Sequence, residues 1–370
     1  MHVKKLSFAK SAVVLSVAAL ALSACGGSNN PAPNGTDGGG SGVSGTLTGG
    51  GSSAQETAMT AWIDGFKSVE AGATVQYNPV GSGSGREGFI AGQYMWAGSD
   101  AAMDDEEIAS AAETCGSEGI VQLPAYISPI AVAYNLPGID ENIKMDAETI
   151  AHVFAGEITN WNDEAIASQN EGVELPDQTI TVVHRSDDSG TTENFTEYLE
   201  AAAGDAWGEE ADGAWPSAYQ AENAQGNSGV VGLATQTEGS IVYAELSQIG
   251  SLGTVDVKVG DDYAAITPEA AAGAVENSPR VDEASSTNLA VEIDRTSTEA
   301  GTYPIVLVAY NIFCTTYKDQ ETADLVKSFA SYIVSEDGQA TAGDSAGSAP
   351  ISAATGEQSQ AAIDEITVAE

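Results

Sequence analysis

The chain has 370 residues, with 54 Asp and Glu residues against 12 Lys and Arg, and its formal net charge is −42 at pH 7. This length is sufficient for two lobes and a sizeable core. The acidic balance excludes a nucleic-acid-binding protein, because binding to a phosphate backbone requires a basic surface.

Residues 1–24 have the pattern of an export signal. Lysines at the start precede a short, nearly all-apolar stretch at residues 11–22, which is too short to span a bilayer. The motif Leu22-Ser-Ala-Cys25 resembles the lipobox of bacterial lipoproteins, which implies cleavage before Cys25 and acylation of its thiol. Plain export with a free Cys25 is the alternative.

The next segment, residues 25–45, is expected to be a lipidated cysteine followed by a flexible tether. Residues 26–45 are mainly Gly, Ser, Asn, Pro and Thr, with almost no apolar content. With Cys25 acylated, Cys115 and Cys314 remain as an even pair in an exported protein, which favours a disulfide between them. Two buried free thiols are the alternative, because the sequence cannot show that they meet.

Strand-like and helix-like segments alternate after Thr46, where the fold is expected to begin. Apolar extended runs occur at residues 74–77, 127–136, 180–183, 239–243 and 305–310, and helical periodicity returns at residues 325–333. Pro129 weighs against a central strand at its own position. The alternation predicts an α/β protein, and no second hydrophobic segment is long enough for a membrane span.

Three segments rich in glycine and hydroxyl groups each precede a predicted helix. They are residues 49–54, 81–85 and 185–191, and the third includes Arg185 at the end of a strand-like run. Free N–H groups at a helix start bind anions, and a guanidinium fork suits a tetrahedral oxyanion. One such segment could be an ordinary N-cap. Three in one chain indicate that several helix N-termini converge on one anion.

The ordered set of motifs resembles the substrate-binding lipoprotein of the high-affinity phosphate ABC transporter over almost all of residues 46–350. The matching stretches are residues 48–53, 77–85, 97–101, 133–138, 158–163, 185–191 and 239–243. The resemblance implies a type II periplasmic-binding-protein fold of two α/β lobes, with inorganic phosphate in the cleft between them. It also implies a monomer without cofactor or metal, held on the outer face of the cell membrane by its lipid anchor only, that delivers phosphate to the permease subunits.

The lobe boundaries also follow from this resemblance. Lobe one is expected at residues 46–133 together with residues 303–370, so that both ends of the mature chain build it. Lobe two is expected at residues 134–302.

The resemblance also assigns phosphate contacts position by position. Hydroxyl or N–H donors, the one acidic contact and the arginine are expected at Ser53, Ala54, Ser82, Asp100, Arg185, Ser189, Gly190 and Thr191, with Asp187 holding the arginine. Ser53 and Glu56 also form a capping-box pattern, which would make the Ser53 hydroxyl less available to a ligand. Ser84 and Arg86 are expected to be ordinary helix-start residues. His184 is expected on the opposite strand face from Arg185.

Two other functions compete with phosphate binding. A hydrolase with Ser189 as nucleophile would need His184 as its base, and neither a third triad member nor a metal site is apparent in the sequence. The chain is therefore not expected to be an enzyme. A binding protein for sulfate or molybdate is disfavoured by Asp100, because a carboxylate repels an oxyanion that carries no proton. A surface scaffold without a small ligand is a third possibility.

Overall fold

The computed structural model describes residues 42–117, 119–139, 141–276, 278–282 and 285–369. The expected export signal, Cys25 and most of the expected tether lie outside these residues. Within them, no helix is long and apolar enough to cross a membrane.

Strands and helices alternate along the described chain, which confirms the predicted α/β class. The strands are β1 (Ser44–Gly51), β2 (Gly72–Asn78), β3 (Trp96–Ser99), β4 (Ile120–Tyr134), β5 (Ile143–Met145), β6 (Thr181–Arg185), β7 (Glu222–Ala224), β8 (Ser240–Glu245), β9 (Gly253–Val259), β10 (Asp262–Ala264), β11 (Val306–Cys314), β12 (Thr316–Tyr317) and β13 (Thr367–Val368). The helices are α1 (Glu56–Val69), α2 (Ser82–Ile90), α3 (Asp105–Cys115), α4 (Ala147–Phe154), α5 (Glu164–Ala167), α6 (Gly190–Trp207), α7 (Gly226–Gln236), α8 (Pro268–Glu276), α9 (Gln320–Val334), α10 (Glu336–Ala346) and α11 (Ala353–Asp364).

The first lobe is built on the strand order β2-β1-β3-β11-β4. Strand β1 runs parallel to β2 and β3, whereas β11 is antiparallel to β3 and β4. Aromatic rings from the sheet and its helices form the core: Phe329 lies edge-on to Phe66 at 5.1 Å and to Trp96 at 5.5 Å between ring centroids. The parallel pairing brings the carboxyl ends of β1 and β3 to one edge, where α1 and α2 begin.

The second lobe is built on the order β4-β8-β6-β7, with β9 also paired to β4. Strands β6 and β8 are parallel, and β4 is antiparallel to β8. The Tyr243 ring on β8 stacks on Phe195 of α6 at 4.6 Å and on Trp215 at 5.7 Å. This packing fixes the start of α6 against the end of β6.

Strand β4 belongs to both sheets and contains Pro129 in its interior. Its first part pairs with β11 up to Pro129, and its last part pairs with β8 from Ile130. The expectation that Pro129 disfavours a central strand there is wrong. The Ile130 N–H donates to Ile305 O at 2.7 Å, so Ile130 and Ile305 form a hydrogen-bonded pair. Such pairs alternate with non-hydrogen-bonded ones in an antiparallel ladder, and the neighbouring Pro129–Val306 pair is of the second kind. Pairing with β11 therefore requires no N–H from Pro129.

The predicted disulfide between Cys115 and Cys314 is confirmed. The bond joins the end of α3 to the end of β11, with the two Cα atoms 4.8 Å apart and a sequence separation of 199. It therefore ties an early helix of the first lobe to the strand by which the chain returns from the second lobe. The lobe boundaries given above remain predictions.

Candidate functional site

The glycines after β1 allow close packing at the start of the site. A Cβ on Gly51, whose φ is +143°, would lie 1.9 Å from Gly98 O, and one on Gly49 would lie 2.1 Å from the Trp96 ring. Strands β1 and β3 can therefore end side by side only because these positions lack side chains. This approach brings residues 52–54 next to Asp100.

Ser52, rather than Ser53, satisfies the start of α1. The Ser52 hydroxyl accepts hydrogen bonds from the N–H groups of Ala54 at 3.0 Å and Gln55 at 3.4 Å, and it donates to Asp100 Oδ1. The alternative capping box of Ser53 with Glu56 does not form, because α1 begins at Glu56 with Gln55 as its N-cap. The Ser53 side chain is thereby left to face the second lobe.

Asp100 lies at the end of β3, 3% exposed, and accepts hydrogen bonds from three hydroxyl groups. Besides Ser52, Thr191 Oγ1 donates to its Oδ2 at 3.2 Å and Ser82 Oγ lies 3.5 Å from the same oxygen. Burial raises the pKa of Asp100, whereas these hydroxyls and the Arg185 charge act in the opposite direction. A carboxylate in this setting can accept a proton that a ligand carries.

Arg185 ends β6 and is 2% exposed. Its Nε and Nη2 atoms donate to the two oxygens of Asp187 at 2.8 and 2.5 Å, and its backbone N–H donates to the Tyr243 hydroxyl at 3.1 Å. The remaining Nη1 atom lies 3.5 Å from Thr191 Oγ1. Asp187 therefore holds the guanidinium along one side and leaves the other side directed at Thr191.

The start of α6 completes the predicted set. Ser189 is the N-cap residue, and its hydroxyl accepts from the Thr192 N–H at 3.2 Å. A Cβ on Gly190 would lie 2.8 Å from both Asp100 Cβ and Ser82 Oγ. Glycine is therefore required for this helix start to approach the first lobe so closely.

Asn227, at the start of α7, is a further residue of the site that the sequence analysis missed. It is fully buried, and its backbone and side-chain nitrogens both donate to Ser53 Oγ at 3.1 Å. Its side chain also donates to Thr191 Oγ1 at 3.2 Å. Ser52, described above, is a second residue of the site that the sequence analysis did not single out. In sequence, the only signal for Asn227 is the Gly-Asn-Ser-Gly turn that precedes an apolar helical pattern.

The structure brings together all the predicted contact positions and adds a fourth helix start. The N-termini of α1, α2, α6 and α7 meet there, and the predicted residues around them are buried. The Ala54 N–H donates to Ser52 Oγ in this structure, and its expected contact with a ligand stays a prediction, as do the other ligand contacts. The first N–H groups of a helix have no intrahelical partners, so these termini supply further donors.

Three neighbouring residues lie outside this arrangement. Arg86 donates to Glu107 at 2.8 Å and to Ser99 at 2.9 Å within the first lobe, and Ser84 is exposed. His184 stacks on Trp215 at 4.9 Å, with its Nδ1 atom 2.7 Å from Arg185 O. Among the described residues, no group of three or more His, Cys, Asp or Glu side chains could hold a metal ion.

A cavity of about 610 Å³ adjoins the site on the side of Asp100. Acidic side chains of α6 and Glu292 line it, together with Arg295. The Arg295 guanidinium donates to Glu197 and to Asn194, and Asn194 Nδ2 donates to Asp100 O at 2.7 Å. The charged side chains that line the cavity are thus mostly acidic. The buried site instead presents donors around the Asp100 carboxylate, and its other carboxylate, Asp187, is engaged by Arg185.

Comparisons with known proteins agree with this geometry. The model of the PBP superfamily domain matches residues 37–337. The chain is 36% identical over 326 residues to phosphate-binding protein PstS3 of Mycobacterium bovis (strain BCG / Pasteur 1173P2), covering 85% of this chain and 87% of the relative. It is 35% identical over 341 residues to PstS2 of the same strain, covering 88% and 90%.

A solved structure shows the same fold. A high-affinity periplasmic phosphate-binding protein (PfluDING), determined with phosphate bound, matches with a TM-score of 0.69 at 21% identity. The match covers 85% of this chain and 93% of that chain. The two-lobe periplasmic-binding fold predicted from the sequence is therefore confirmed.

Proposed function

The chain belongs to the PstS family of phosphate-binding proteins within the PBP superfamily, and from this membership we propose that it binds inorganic phosphate outside the cytoplasm and delivers it to an ABC phosphate importer. The observation that carries the proposal is the convergence of buried donors from both lobes on the single carboxylate of Asp100. Such a set complements a tetrahedral anion that still carries one proton.

Each part of the site has a role in this proposal. Arg185 and the start of α6, at Ser189, Gly190 and Thr191, donate to the phosphate oxygens from the second lobe. Ser53, Ala54 and Ser82 donate from the first lobe. Ligand contacts from both sides stabilise the state in which the lobes touch, because a ligand shifts an equilibrium toward the conformation it binds better.

Asp100 accounts for selectivity in this proposal. Orthophosphate keeps a proton near neutral pH and donates it to the Asp100 carboxylate. Sulfate has no proton to donate, so two acceptors would face each other without a hydrogen between them. Leaving a buried polar group unpaired rejects an analogue by roughly 10⁴–10⁵.

The chain acts as a carrier rather than an enzyme in this account. The Ser189 hydroxyl serves as the α6 N-cap, and His184 is turned toward Trp215 and its own strand, which is a poor arrangement for a nucleophile and its base. We further propose that Cys25 is acylated, that the monomer is tethered to the outer face of the membrane through it, and that the permease subunits are its protein partners.

A thermal melt of protein stripped of ligand by unfolding and refolding tests the binding proposal. Phosphate at 100 times its Kd should stabilise the fold by about 2.7 kcal/mol, whereas sulfate should not. A chromogenic phosphate ester should not be hydrolysed. An unchanged melting temperature in excess phosphate would contradict the proposal and favour a scaffold, and turnover of the ester would favour the hydrolase.

Membrane attachment is tested separately. The full-length protein should fractionate with membranes when expressed in a bacterial host that acylates lipoproteins. Cys25→Ser should be exported in soluble form. Equal membrane association of both forms would contradict anchoring through Cys25.

A further inference from the structure

Asn227 uses both side-chain amide hydrogens and its carbonyl oxygen in hydrogen bonds at the junction of the two lobes. Its Oδ1 atom accepts from the Glu245 N–H at 2.9 Å, and the two hydrogens of Nδ2 are donated to Ser53 Oγ and Thr191 Oγ1. Ser53 belongs to the first lobe and lies 174 residues away in sequence. The amide thus bridges hydroxyls from both lobes.

The orientation of this amide follows from its backbone partner. A backbone N–H can only donate, so the atom facing Glu245 N must be the carbonyl oxygen and the NH₂ group must face the hydroxyls. The Glu245 backbone is itself held firmly, since its carboxylate accepts from Tyr126 at 2.9 Å, from Ser128 at 2.5 Å and from Ser247. A flipped Asn227 would place two donors against each other at Glu245.

The donors from Asn227 determine where the hydroxyl protons of its partners can go. A hydroxyl has one proton to donate and two lone pairs that accept. Ser53 Oγ accepts both from Asn227 N and from Asn227 Nδ2 at 3.1 Å, so its proton must be donated elsewhere. Thr191 Oγ1 accepts from Asn227 Nδ2 and from Arg185 Nη1, and it donates to Asp100.

We propose that Asn227 is a positioning and specificity-determining residue that fixes the protons of Ser53 and Thr191, so that neither hydroxyl can accept a hydrogen bond from the bound anion. The Ser53 hydroxyl then donates to the anion, and the Thr191 hydroxyl donates to Asp100. The inference rests on the proposed phosphate-binding function and deepens it. With these hydroxyls unable to accept, Asp100 is left as the acceptor among these side chains. The site then admits one ligand proton and disfavours a second.

The test compares the phosphate affinity of the wild-type protein and Asn227→Ala at pH 8 and pH 5. Phosphate carries mainly one proton at the higher pH and mainly two at the lower. Wild type should bind more weakly at pH 5. Asn227→Ala should bind about tenfold more weakly than wild type at pH 8, the size expected for one or two lost hydrogen bonds. This difference in affinity between the variant and wild type should be smaller at pH 5, because the freed hydroxyls of Ser53 and Thr191 can rotate and accept the second proton of the phosphate.

A second variant distinguishes loss of the hydrogen bonds from a folding defect. Asn227→Asp keeps the shape and the acceptor for the Glu245 N–H but replaces the donor that faces Ser53 and Thr191 with an acceptor. It should lose more than tenfold in affinity at pH 8 and regain part of this at pH 5, where protonation restores a donor.

Asn170→Ala is the matched control. Asn170 is also buried and bonds to Lys144 and Ile166 within the second lobe, away from the site. It should lower the melting temperature and leave the phosphate affinity and its pH profile as in wild type.

The outcomes separate this inference from the proposed function. Wild-type affinity in both Asn227 variants, or a loss by the same factor at both pH values, would overturn the positioning role while leaving phosphate binding intact. Absence of phosphate binding by the wild-type protein would instead overturn the proposed function.

Discussion

At the residue scale, sequence resemblance predicts the contact positions but not the hydrogen bonds that orient their side chains. The contact positions on three loops were predictable because their glycine and hydroxyl patterns are local in sequence. Ser52 was missed because a one-residue difference in where α1 begins decides which serine satisfies the helix start. Asn227 was missed because its partner Ser53 is 174 residues away, and only the assembled lobes reveal the contact.

Asp100→Asn tests the source of selectivity against sulfate. Asparagine keeps the shape and replaces one acceptor with a group that can donate, so the repulsion between two acceptors is removed. The variant should begin to bind sulfate and should lose part of its preference for phosphate. Competition binding measures both changes, and unchanged exclusion of sulfate would place the selectivity elsewhere and leave Asp100 a structural role.

Arg185→Ala and His184→Ala form a matched pair on one strand. Loss of a charge-assisted contact with the anion should cost about 1.5–3 kcal/mol or more of binding free energy. His184 packs on Trp215 on the other side of the strand, so its substitution should change the melting temperature more than the phosphate Kd. Equal losses of affinity in the two variants would contradict the assignment of Arg185.

At the scale of elements, periodicity identified the apolar centres of the long strands but not their ends. Strand β4 runs from Ile120 to Tyr134, buried throughout, whereas the apolar run suggested residues 127–136. A strand buried on both faces has no alternation to mark its limits, and its two prolines weaken the sequence signal further. The change of partner at Pro129 depends on where β8 and β11 lie, which no local pattern encodes.

Helix α6 should make folding stability depend on pH through Glu193 in its first turn. Burial raises the pKa of Glu193 to about 7, against an ordinary 4.5; Glu197 and Asp188 reinforce this, and Arg86 opposes it. The folded protein therefore holds this proton over a pH range in which the unfolded chain has lost it. Stability from this group is present below about pH 4.5 and is lost as the pH rises through about 7.

Glu193→Gln tests this pH dependence. The variant should be more stable than wild type by roughly 1–3 kcal/mol at pH 8, because a buried charge is removed. The advantage should disappear near pH 4.5, where both side chains are neutral. Denaturant melts at the two pH values measure the difference, and an equal advantage at both would show that the effect does not come from ionisation of Glu193.

At the scale of the whole molecule, an anion must approach a chain of net charge −42. The two facts are compatible because exposed charges are screened over roughly 8–10 Å at physiological salt, whereas the buried donors act at contact distance. The acidic lining of the cavity beside Asp100 adds to the repulsion during approach. Charge should therefore affect how fast phosphate arrives more than how tightly it is held.

The kinetics of phosphate binding provide the corresponding prediction. Raising the concentration of sodium chloride should increase the association rate constant, because it screens the repulsion between ligand and protein. The dissociation rate constant should change little, since it depends on contacts inside the buried site. Stopped-flow measurements over a range of chloride concentrations test this, and an association rate that falls with salt would indicate a locally positive approach path.

Titration calorimetry on ligand-stripped protein tests the central claim most directly. Phosphate should bind with a stoichiometry of one per chain, and sulfate at the same concentrations should give no heat beyond dilution. Binding of both anions with similar affinity would contradict the role of Asp100, and heat from neither anion would contradict phosphate binding at the site between the lobes.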